Sequence, residues 1–205
     1  MTLNRFDSIA FMYDFLAKFV FGRSITDSQK FFLNKIEDSS KVLILGGGTG
    51  WLLADLLKMK PNCEVWYIEA SAKMIDLAKA KTGIKYPVHF IHGTEQDIPA
   101  TAQFDVVITN FYFDMFTGDS LPQVINKIKT SVKPGALWIV TDFIDNNRWW
   151  QKFLLQTMYA FFRITCSLEM HRLPDWRRSI REIGVIKSES RFFYKGFIET
   201  ALYQF

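Results

Sequence analysis

The chain has 205 residues, enough for one domain with a substantial core but too few for two domains of ordinary size. Hydrophobic residues make up 49% and charged residues 22% of it, as in soluble globular proteins, and no stretch reaches the roughly 18 apolar residues of a membrane span. The formal net charge of +4 is mild, so nucleic acid is not favoured as a partner.

The first part of the chain, residues 4–37, is predicted to form two helices. Apolar residues recur at helical spacing over residues 6–20, and Gly22 can end that helix. A polar start at residues 26–28 predicts a second helix, which continues through Phe31, Phe32, Lys35 and Ile36. We interpret residues 1–38 as a helical cap that precedes the first strand.

A strand, a glycine-rich turn and a helix then follow one another. Val42–Leu45 is a continuous apolar run, typical of a strand buried on both faces, and a helical pattern begins at Trp51. Four glycines separate them: Gly46, Gly47, Gly48 and Gly50. Glycine allows positive φ and a close approach of backbone N–H groups to a ligand, while the helix N-terminus adds partial positive charge. The stretch predicts a ligand cradle; a purely structural turn, which one glycine would serve, is the alternative.

The glycine spacing distinguishes between two kinds of cradle. A dinucleotide fingerprint, G-x-G-x-x-G, requires its third glycine at position 51, where this chain has Trp51. The run instead fits G-x-G-x-G at positions 46, 48 and 50. The stretch KVLILGGGTG resembles motif I of the class I S-adenosylmethionine-dependent methyltransferases. That family usually has an acidic residue at the position of Ile44, so one contact to the amino-acid end of the cofactor is missing or supplied elsewhere.

The second strand is predicted over Cys63–Ile68, with Glu69 at its carboxyl end and a helical run over residues 71–81. An acid at such a strand end can accept hydrogen bonds from both hydroxyls of a ribose. An acid favoured only by the helix N-terminus is the alternative. We also predict that Ala70 and Met74 bind the cofactor, Met74 by covering the adenine, although a core methionine is equally consistent.

A third strand is predicted over Val88–Ile91, followed by HGTEQDIP. Relatives commonly carry G-D-A at positions 93–95, where the acid and the next backbone N–H contact the adenine. Thr94 replaces that acid, so we predict Thr94 and Glu95 as cofactor residues, Glu95 accepting from the exocyclic amine, with Gln96 or Asp97 as alternatives. A lone histidine in a strand, such as His92, is more often a structural residue than a ligand-binding one.

The fourth strand, Phe104–Thr109, leads into a ring-rich turn that begins at Asn110. Ligands of open α/β sheets bind outside the carboxyl ends of the strands, so Asn110 and Phe111 are expected beside the reacting methyl group. The sequence NFYF lacks both prolines of an N-P-P-Y motif, which argues against methylation of nucleobase or glutamine amino groups.

Leu121–Val132 is predicted to form an amphipathic helix, and residues 136–143 a fifth strand with Asp142 near its end. The segment 145–174 departs from the usual pattern of the fold. One face of its helix, residues 149–165, would carry Trp150, Phe153, Leu154, Thr157, Met158, Phe161 and Ile164 or Thr165, opposite Lys152, Gln156 and Arg163. We interpret the segment as an inserted lid over an apolar acceptor pocket or a membrane-surface helix; a plain core-covering helix is equally consistent.

The C-terminal part is predicted to contain a basic helix, Trp176–Ile183, ended by Gly184, and two strands within Val185–Phe205. Residues 148–195 hold ten basic and four acidic side chains, so this region could face an anionic lipid surface, nucleic acid or an acidic substrate, or be an ordinary solvated surface. Cys63 and Cys166 lack any metal-binding spacing, and we expect reduced thiols in a cytoplasmic protein.

The resemblance extends over nearly the whole chain. The stretch RFDSIAFMYDFLAKFVFGRSITDSQKFFL resembles the N-terminal helices of ubiquinone and menaquinone C-methyltransferases and of bacterial phospholipid N-methyltransferases, while KPGALWIVTDF and GFIETALYQF resemble the later strands of the family. It implies that Tyr13, next to Asp14, closes over the cofactor. It also implies one α/β domain over residues 1–205, with a Rossmann-like, doubly wound, seven-stranded and mostly parallel sheet, one antiparallel late strand and helices on both faces.

The resemblance implies transfer of a methyl group from S-adenosyl-L-methionine to an acceptor by in-line displacement. The ring-rich helix at residues 149–165 and the basic C-terminal third favour a small, lipophilic acceptor. The expected catalytic residues are Asn110, Asp114 and Asp142, with His171 as a further candidate base, and no metal is expected. Peripheral membrane contact and the oligomeric state stay open. A non-catalytic S-adenosylmethionine-binding module is the alternative, because Ile44 and Thr94 replace usual acids; a nicotinamide enzyme is opposed by Trp51.

Overall fold

The structure is a computed structural model that describes residues 20–83, 86–166 and 172–205. Its strands are β1 Lys41–Leu45, β2 Glu64–Glu69, β3 Val88–His92, β4 Phe104–Asn110, β5 Val132–Phe143, β6 Ile186–Phe193 and β7 Ile198–Gln204. Its helices are α1 Ser24–Lys30, α2 Trp51–Met59, α3 Ala72–Thr82, α4 Leu121–Lys129, α5 Trp149–Cys166 and α6 Trp176–Glu182. Short 3-10 turns lie at Leu33–Lys35, Glu95–Asp97, Phe113–Met115 and Tyr194–Gly196.

The strands of the described part form one 7-stranded sheet in the order β3-β2-β1-β4-β5-β7-β6. All neighbouring pairs are parallel except those of β7, which runs antiparallel to both β5 and β6. The direction of winding reverses between β1 and β4, and ligands of such sheets bind at the carboxyl ends of the strands near this point. The predicted Rossmann-like, doubly wound fold with one antiparallel late strand is confirmed.

Side chains of β1 alternate between two hydrophobic clusters, one on each face of the sheet. Leu43 and Leu45 join a cluster that includes α4 and α6, whereas Val42 and Ile44 join a cluster that includes α2. Ile44 is 2% exposed and is therefore a core residue beneath α2. This double burial explains the continuous apolar run that the sequence shows for β1.

Two predicted helix ends are wrong. The helix predicted to continue through Ile36 ends at Lys30, because a 3-10 turn directs Leu33 and Ile36 into the cluster around α2. The helix predicted to end at Val132 ends at Lys129, because Val132 already pairs with Phe104 in the sheet.

The prediction for α5 has the correct location and a partly correct face, because Trp150, Leu154 and Met158 pack against the core as predicted. Phe153, predicted on the apolar face, is 67% exposed, and Thr157 is exposed as well. Among the side chains of this helix that the structure describes, the buried ones are Gln151, Leu155 and Tyr159, which follow one another at a spacing of four. The side chains of Phe161, Ile164, Thr165 and Cys166, and residues Tyr13, Asp14 and His171, lie outside the described part.

None of the helices in residues 20–83, 86–166 and 172–205 combines the length and the apolar character needed to cross a membrane.

Candidate cofactor and acceptor site

The loop between β1 and α2 requires glycine for two reasons. Gly46, Gly48 and Gly50 have φ of +65°, +66° and +78°, which side chains rarely adopt. A Cβ on Gly47 would lie 2.2 Å from the ring of Tyr67, and one on Gly50 would lie 2.4 Å from the Cβ of Ala78. The loop therefore packs against β2 and α3 at a distance that no other residue type permits.

Side chains hold this loop in one shape from several sides. The Tyr67 hydroxyl donates a hydrogen bond to the Gly48 carbonyl at 2.7 Å, and the Lys81 ammonium donates one to the Thr49 carbonyl at 2.6 Å. The Gly48 N–H in turn donates to Glu69 Oε2 at 2.9 Å. The Gly46 N–H bonds the Ile68 carbonyl at 2.9 Å and continues the pairing of β1 with β2. The cradle is thus preformed.

Glu69 is the last residue of β2, as predicted, and is 7% exposed. Its Oε1 accepts a hydrogen bond from the Ser71 N–H at 2.9 Å, while Oε2 accepts from Gly48. Burial raises the pKa of this carboxyl, and these backbone donors oppose the rise. A carboxylate has about four acceptor positions, so the two bonds leave room for two further donors such as vicinal hydroxyls.

Residues after β2 and β3 form the next part of the edge. His92 Nε2 lies 3.0 Å from the Ala70 carbonyl and donates to it, so His92 joins the ends of the two strands. Thr94 caps a 3-10 turn: its hydroxyl accepts from the Gln96 N–H, and its own N–H donates to Asp97 Oδ2 at 2.8 Å. Asp97 is therefore engaged within the turn.

Glu95 and Tyr112 are linked across the site. Glu95 is 8% exposed, and the Tyr112 hydroxyl donates to its Oε2 at 2.9 Å. The Tyr112 ring also lies against the glycine loop, where a Cβ on Gly46 would come within 2.6 Å of it. Burial, followed by the Glu95 charge, raises the pKa of Tyr112 well above its usual value.

Met74 lies in the first turn of α3 and is buried. Its N–H donates to Ser71 Oγ at 3.2 Å, so this residue belongs to the capped start of the helix that follows Glu69. Its predicted contact with the adenine stays a prediction.

The end of β4 carries an unsatisfied polar group. Asn110 is 9% exposed, and within the described residues neither Oδ1 nor Nδ2 of its side chain has a hydrogen-bond partner. Leaving such a group unpaired costs about 1–3 kcal/mol, so this amide needs a partner from a ligand or solvent. Phe111 follows with φ of +49°, a strained conformation for a non-glycine residue, and its ring packs 4.8 Å from that of Phe143.

Asp114, in the 3-10 turn after β4, and Asp142, near the end of β5, form a buried pair. Both Asp142 oxygens accept backbone N–H bonds, from Phe113 at 2.9 Å and from Phe143 at 2.8 Å. Asp142 therefore fastens the turn after β4 to the end of β5. Asp114 Oδ1 has no partner among the described residues. Burial raises the pKa of Asp142 to about 7, and burial together with Asp142 raises the pKa of Asp114 well above its usual value.

Comparisons with known proteins show which proteins share the part of the chain that forms this site. The family described as "Methyltransferase domain" matches residues 42–135, which hold the cradle, Glu69 and the end of β4. Over this region the chain is similar to the class I S-adenosylmethionine-dependent methyltransferases. It is 31% identical over 102 residues to a malonyl-[acyl-carrier protein] O-methyltransferase of Priestia megaterium, an alignment that covers 50% of this chain and 36% of that protein. The chain thus spans less than half the length of the curated relatives of that name.

Solved structures share the fold of this chain. One is a methyltransferase in complex with the Trm112 methyltransferase activator of Haloferax volcanii, with a TM-score of 0.77, 17% identity and coverage of 100% of this chain and 97% of that chain. Another is a SAM-dependent methyltransferase of Aquifex aeolicus, with a TM-score of 0.68, 18% identity and coverage of 97% of both chains.

The cofactor of this family, S-adenosylmethionine, fits the residues that are present. A Cβ at Gly46, Gly47 or Gly50 would lie within 2.6 Å of a neighbouring atom, Glu69 keeps two acceptor positions, and the buried Asn110 amide lacks a partner among the described residues. The predicted residues lie at one edge of the sheet, where the parallel strands end: Gly46, Gly47, Gly48, Gly50, Glu69, Ala70, Thr94, Glu95, Asn110 and Phe111. Tyr13, predicted to close over this site, is outside the described residues.

Three residues that shape the site are not predicted from the sequence: Tyr67, Lys81 and Tyr112. Tyr67 has a usable signal, because it stands two residues before Glu69 and so lies on the same face of β2. Lys81 and Tyr112 have none beyond the helical pattern of α3 and the ring-rich turn, since their partners lie 32 and 17 residues away in sequence.

Proposed function

We propose that the protein transfers a methyl group from S-adenosylmethionine to a small, lipophilic acceptor by in-line displacement. The observation that carries the proposal is the preformed cradle of Gly46–Gly50 and Glu69 next to the unsatisfied Asn110 amide. These groups lie at the ends of adjacent strands, β2, β1 and β4. The cradle accounts for binding of the nucleoside, and Asn110 accounts for the position of the reacting end.

When bound, the cofactor supplies an activated methyl group on a sulfonium, so the protein needs chiefly to align two reactants and exclude water. Alignment of this kind lowers a barrier by on the order of 7–11 kcal/mol. The Asn110 amide orients the group beside it through hydrogen bonds from Nδ2 and to Oδ1. The Phe111 and Phe143 rings, in contact at 4.8 Å, exclude water and give an apolar acceptor its contact surface.

An acceptor that loses a proton on methylation requires a base. Asp114 suits this role better than Asp142, because its Oδ1 has no partner in the described part whereas both Asp142 oxygens accept backbone bonds. Its raised pKa places proton uptake nearer to neutral pH than for an ordinary aspartate. Asp142 then positions Asp114 by holding the turn after β4.

Incubation with methyl-labelled cofactor tests this function. A quinone and phospholipid extract is one acceptor preparation, and malonyl-acyl carrier protein is a second, chosen because relatives carry that name. We expect label in an organic-extractable product, and we expect Glu69→Ala to abolish it. If only the carrier protein is labelled, the acceptor is carrier-bound and the proposal of a lipophilic acceptor is wrong. If neither preparation yields a labelled product, the proposal that the protein methylates acceptors of these two classes is wrong.

A non-catalytic cofactor-binding module is the second candidate. The buried position of Ile44 favours it, because that residue offers no carboxylate to the amino-acid end of the cofactor. Calorimetry separates the two functions: micromolar binding of S-adenosylmethionine with no product from either acceptor preparation supports the module. Absence of binding rejects both.

A further inference from the structure

A cavity lies directly after the end of β5. It has a volume of about 550 Å³ and lies between α5 and the segment 172–177. This volume is in the range of small-molecule pockets, roughly 300–1,000 Å³. Since β5 neighbours β4 in the sheet, the cavity is on the side of Asn110 that faces away from the glycine cradle.

The buried part of the cavity wall is apolar apart from one hydroxyl. Phe143, Ile144, Leu155 and Trp176 line it, and each is at most 5% exposed. The exception is Tyr159, which is 9% exposed and whose hydroxyl has no hydrogen-bond partner among the described residues. Such a hydroxyl needs a partner from a ligand or solvent, because an unpaired buried polar group is costly.

Tyr159 connects the cavity with the acid pair of the candidate site. Burial, followed by the charges of Asp114, Asp142 and Asp145, raises the pKa of Tyr159, so its hydroxyl stays protonated and available as a donor. Asp114 is the first of these charges and is also the acid with an unpaired oxygen. Tyr159 also belongs to the hydrophobic cluster against which Phe111 packs, so a ligand that contacts its hydroxyl lies near the end of β4.

The exposed part of the cavity wall carries both acidic and basic side chains, which differ in the hydrogen bonds and ion pairs that they form. Asp145 accepts a hydrogen bond from the Asn147 N–H at 2.7 Å, and Asp175 accepts one from the Arg178 N–H at 3.1 Å. Lys152 and Arg172 line the same cavity but form no ion pair with a residue that the structure describes. The two cations have no ion-pair partner in the described part and can bind an anion, while the two acids, each held by one backbone N–H, keep their negative charge on the same wall.

We propose that this cavity is the acceptor site and that the acceptor is an apolar small molecule with one anionic group, which Lys152 and Arg172 bind. The apolar body lies against Leu155 and Trp176, and the inner end reaches the Tyr159 hydroxyl. This assignment rests on the proposed function. It adds that the lipophilic acceptor must carry a negative charge. Guanidinium and ammonium groups together suit a carboxylate, sulfonate or phosphate.

Two fluorescent probes with the same ring system test the charge requirement. 8-Anilinonaphthalene-1-sulfonate has an apolar body and one anionic group, and N-phenyl-1-naphthylamine lacks the sulfonate. Each is titrated into the full chain saturated with S-adenosylhomocysteine. We expect one molecule of the sulfonate to bind with at least about tenfold higher affinity than the neutral probe. Lys152→Gln/Arg172→Gln should remove most of this difference and leave the affinity for the neutral probe within about twofold.

A charge-matched variant away from the cavity, Lys58→Gln/Arg191→Gln, is the control and should retain the preference for the sulfonate. Calorimetry with S-adenosylhomocysteine on the same proteins reports on the cradle separately. If the wild type binds this nucleoside but does not prefer the sulfonate, or if the Lys152/Arg172 variant keeps the preference, the acceptor assignment is wrong and the proposed function stands. If the wild type does not bind the nucleoside, the proposed function itself fails.

Discussion

The backbone N–H of Gly48 donates a hydrogen bond of 2.9 Å to the Glu69 carboxylate and thereby joins the loop after β1 to the end of β2. The two parts of the cofactor site are thus one unit before any ligand binds. A preformed site loses less conformational freedom on binding than a mobile one, which raises affinity. It also follows that changes in the loop and changes at Glu69 should affect binding together.

A methyl group at position 47 should disrupt this unit. Gly47→Ala would place its Cβ 2.2 Å from the Tyr67 ring, so the loop or the ring must move. We expect at least a tenfold loss of affinity for S-adenosylhomocysteine, about 1.4 kcal/mol, measured by calorimetry. Gly118→Ala is the control and should bind normally, since a Cβ added at Gly118 would have no heavy atom within 4 Å. Equal affinity of both variants would contradict the packing described.

Removing the Tyr67 hydroxyl should loosen the loop without filling it. Tyr67→Phe deletes the donor to the Gly48 carbonyl, a contribution of about 0.5–1.5 kcal/mol. We expect a roughly two- to tenfold weaker affinity for the nucleoside, which corresponds to the free energy of that hydrogen bond. We also expect faster amide exchange in residues 46–50. Tyr86→Phe is the control, because this partly buried ring packs against the hydrophobic cluster that contains Tyr67. It should change neither the affinity nor the amide exchange. Unchanged exchange in Tyr67→Phe would show that the hydroxyl does not hold the loop.

The acid pair should make stability depend on pH. Because the folded state keeps a proton that an ordinary aspartate loses near pH 4, the free energy of unfolding should fall as the pH rises from about 4 to about 7, the folded-state pKa of Asp142. The slope can reach about 1.4 kcal/mol per pH unit for each retained proton. Asp114→Asn removes one acid of the pair and should flatten the curve, measured by urea unfolding across this range.

The control for this measurement is Asp119→Asn, which changes an exposed aspartate. Its unfolding curve should follow that of the wild type at every pH. A wild type whose stability rises between pH 4 and 7, or an Asp114→Asn variant with the wild-type slope, would contradict a shared proton at this pair.

Local signals in the sequence are sufficient to predict the sheet and the cradle. β1 is a short apolar run followed at once by glycines, and Trp51 begins α2 where the pattern predicts it. Glu69 is predicted as the residue at the end of β2 because strand ends and ligand sites coincide in this fold, and it is the last residue of that strand. Both features depend on neighbours in sequence.

Features that depend on distant partners are not predicted correctly. Val132 has the pattern of a helical residue, but its pairing with Phe104 places it in β5. Phe153 has the spacing of a buried helical residue, yet Leu155 and Tyr159 face the core because contacts with distant rings such as Phe143 set the orientation of α5. The bond between Tyr112 and Glu95 likewise joins two loops that only the fold brings together.

The most direct test of the account is the affinity of S-adenosylhomocysteine for Glu69→Ala, compared by calorimetry with that for Glu64→Ala. Glu64 begins the same strand and pairs with His89 at the surface, so it controls for loss of an acid from β2. We predict at least a hundredfold loss for Glu69→Ala, as expected for two charge-assisted bonds of about 1.5–3 kcal/mol each, and no change for Glu64→Ala. Wild-type affinity in Glu69→Ala would contradict the assignment of this edge of the sheet as the cofactor site.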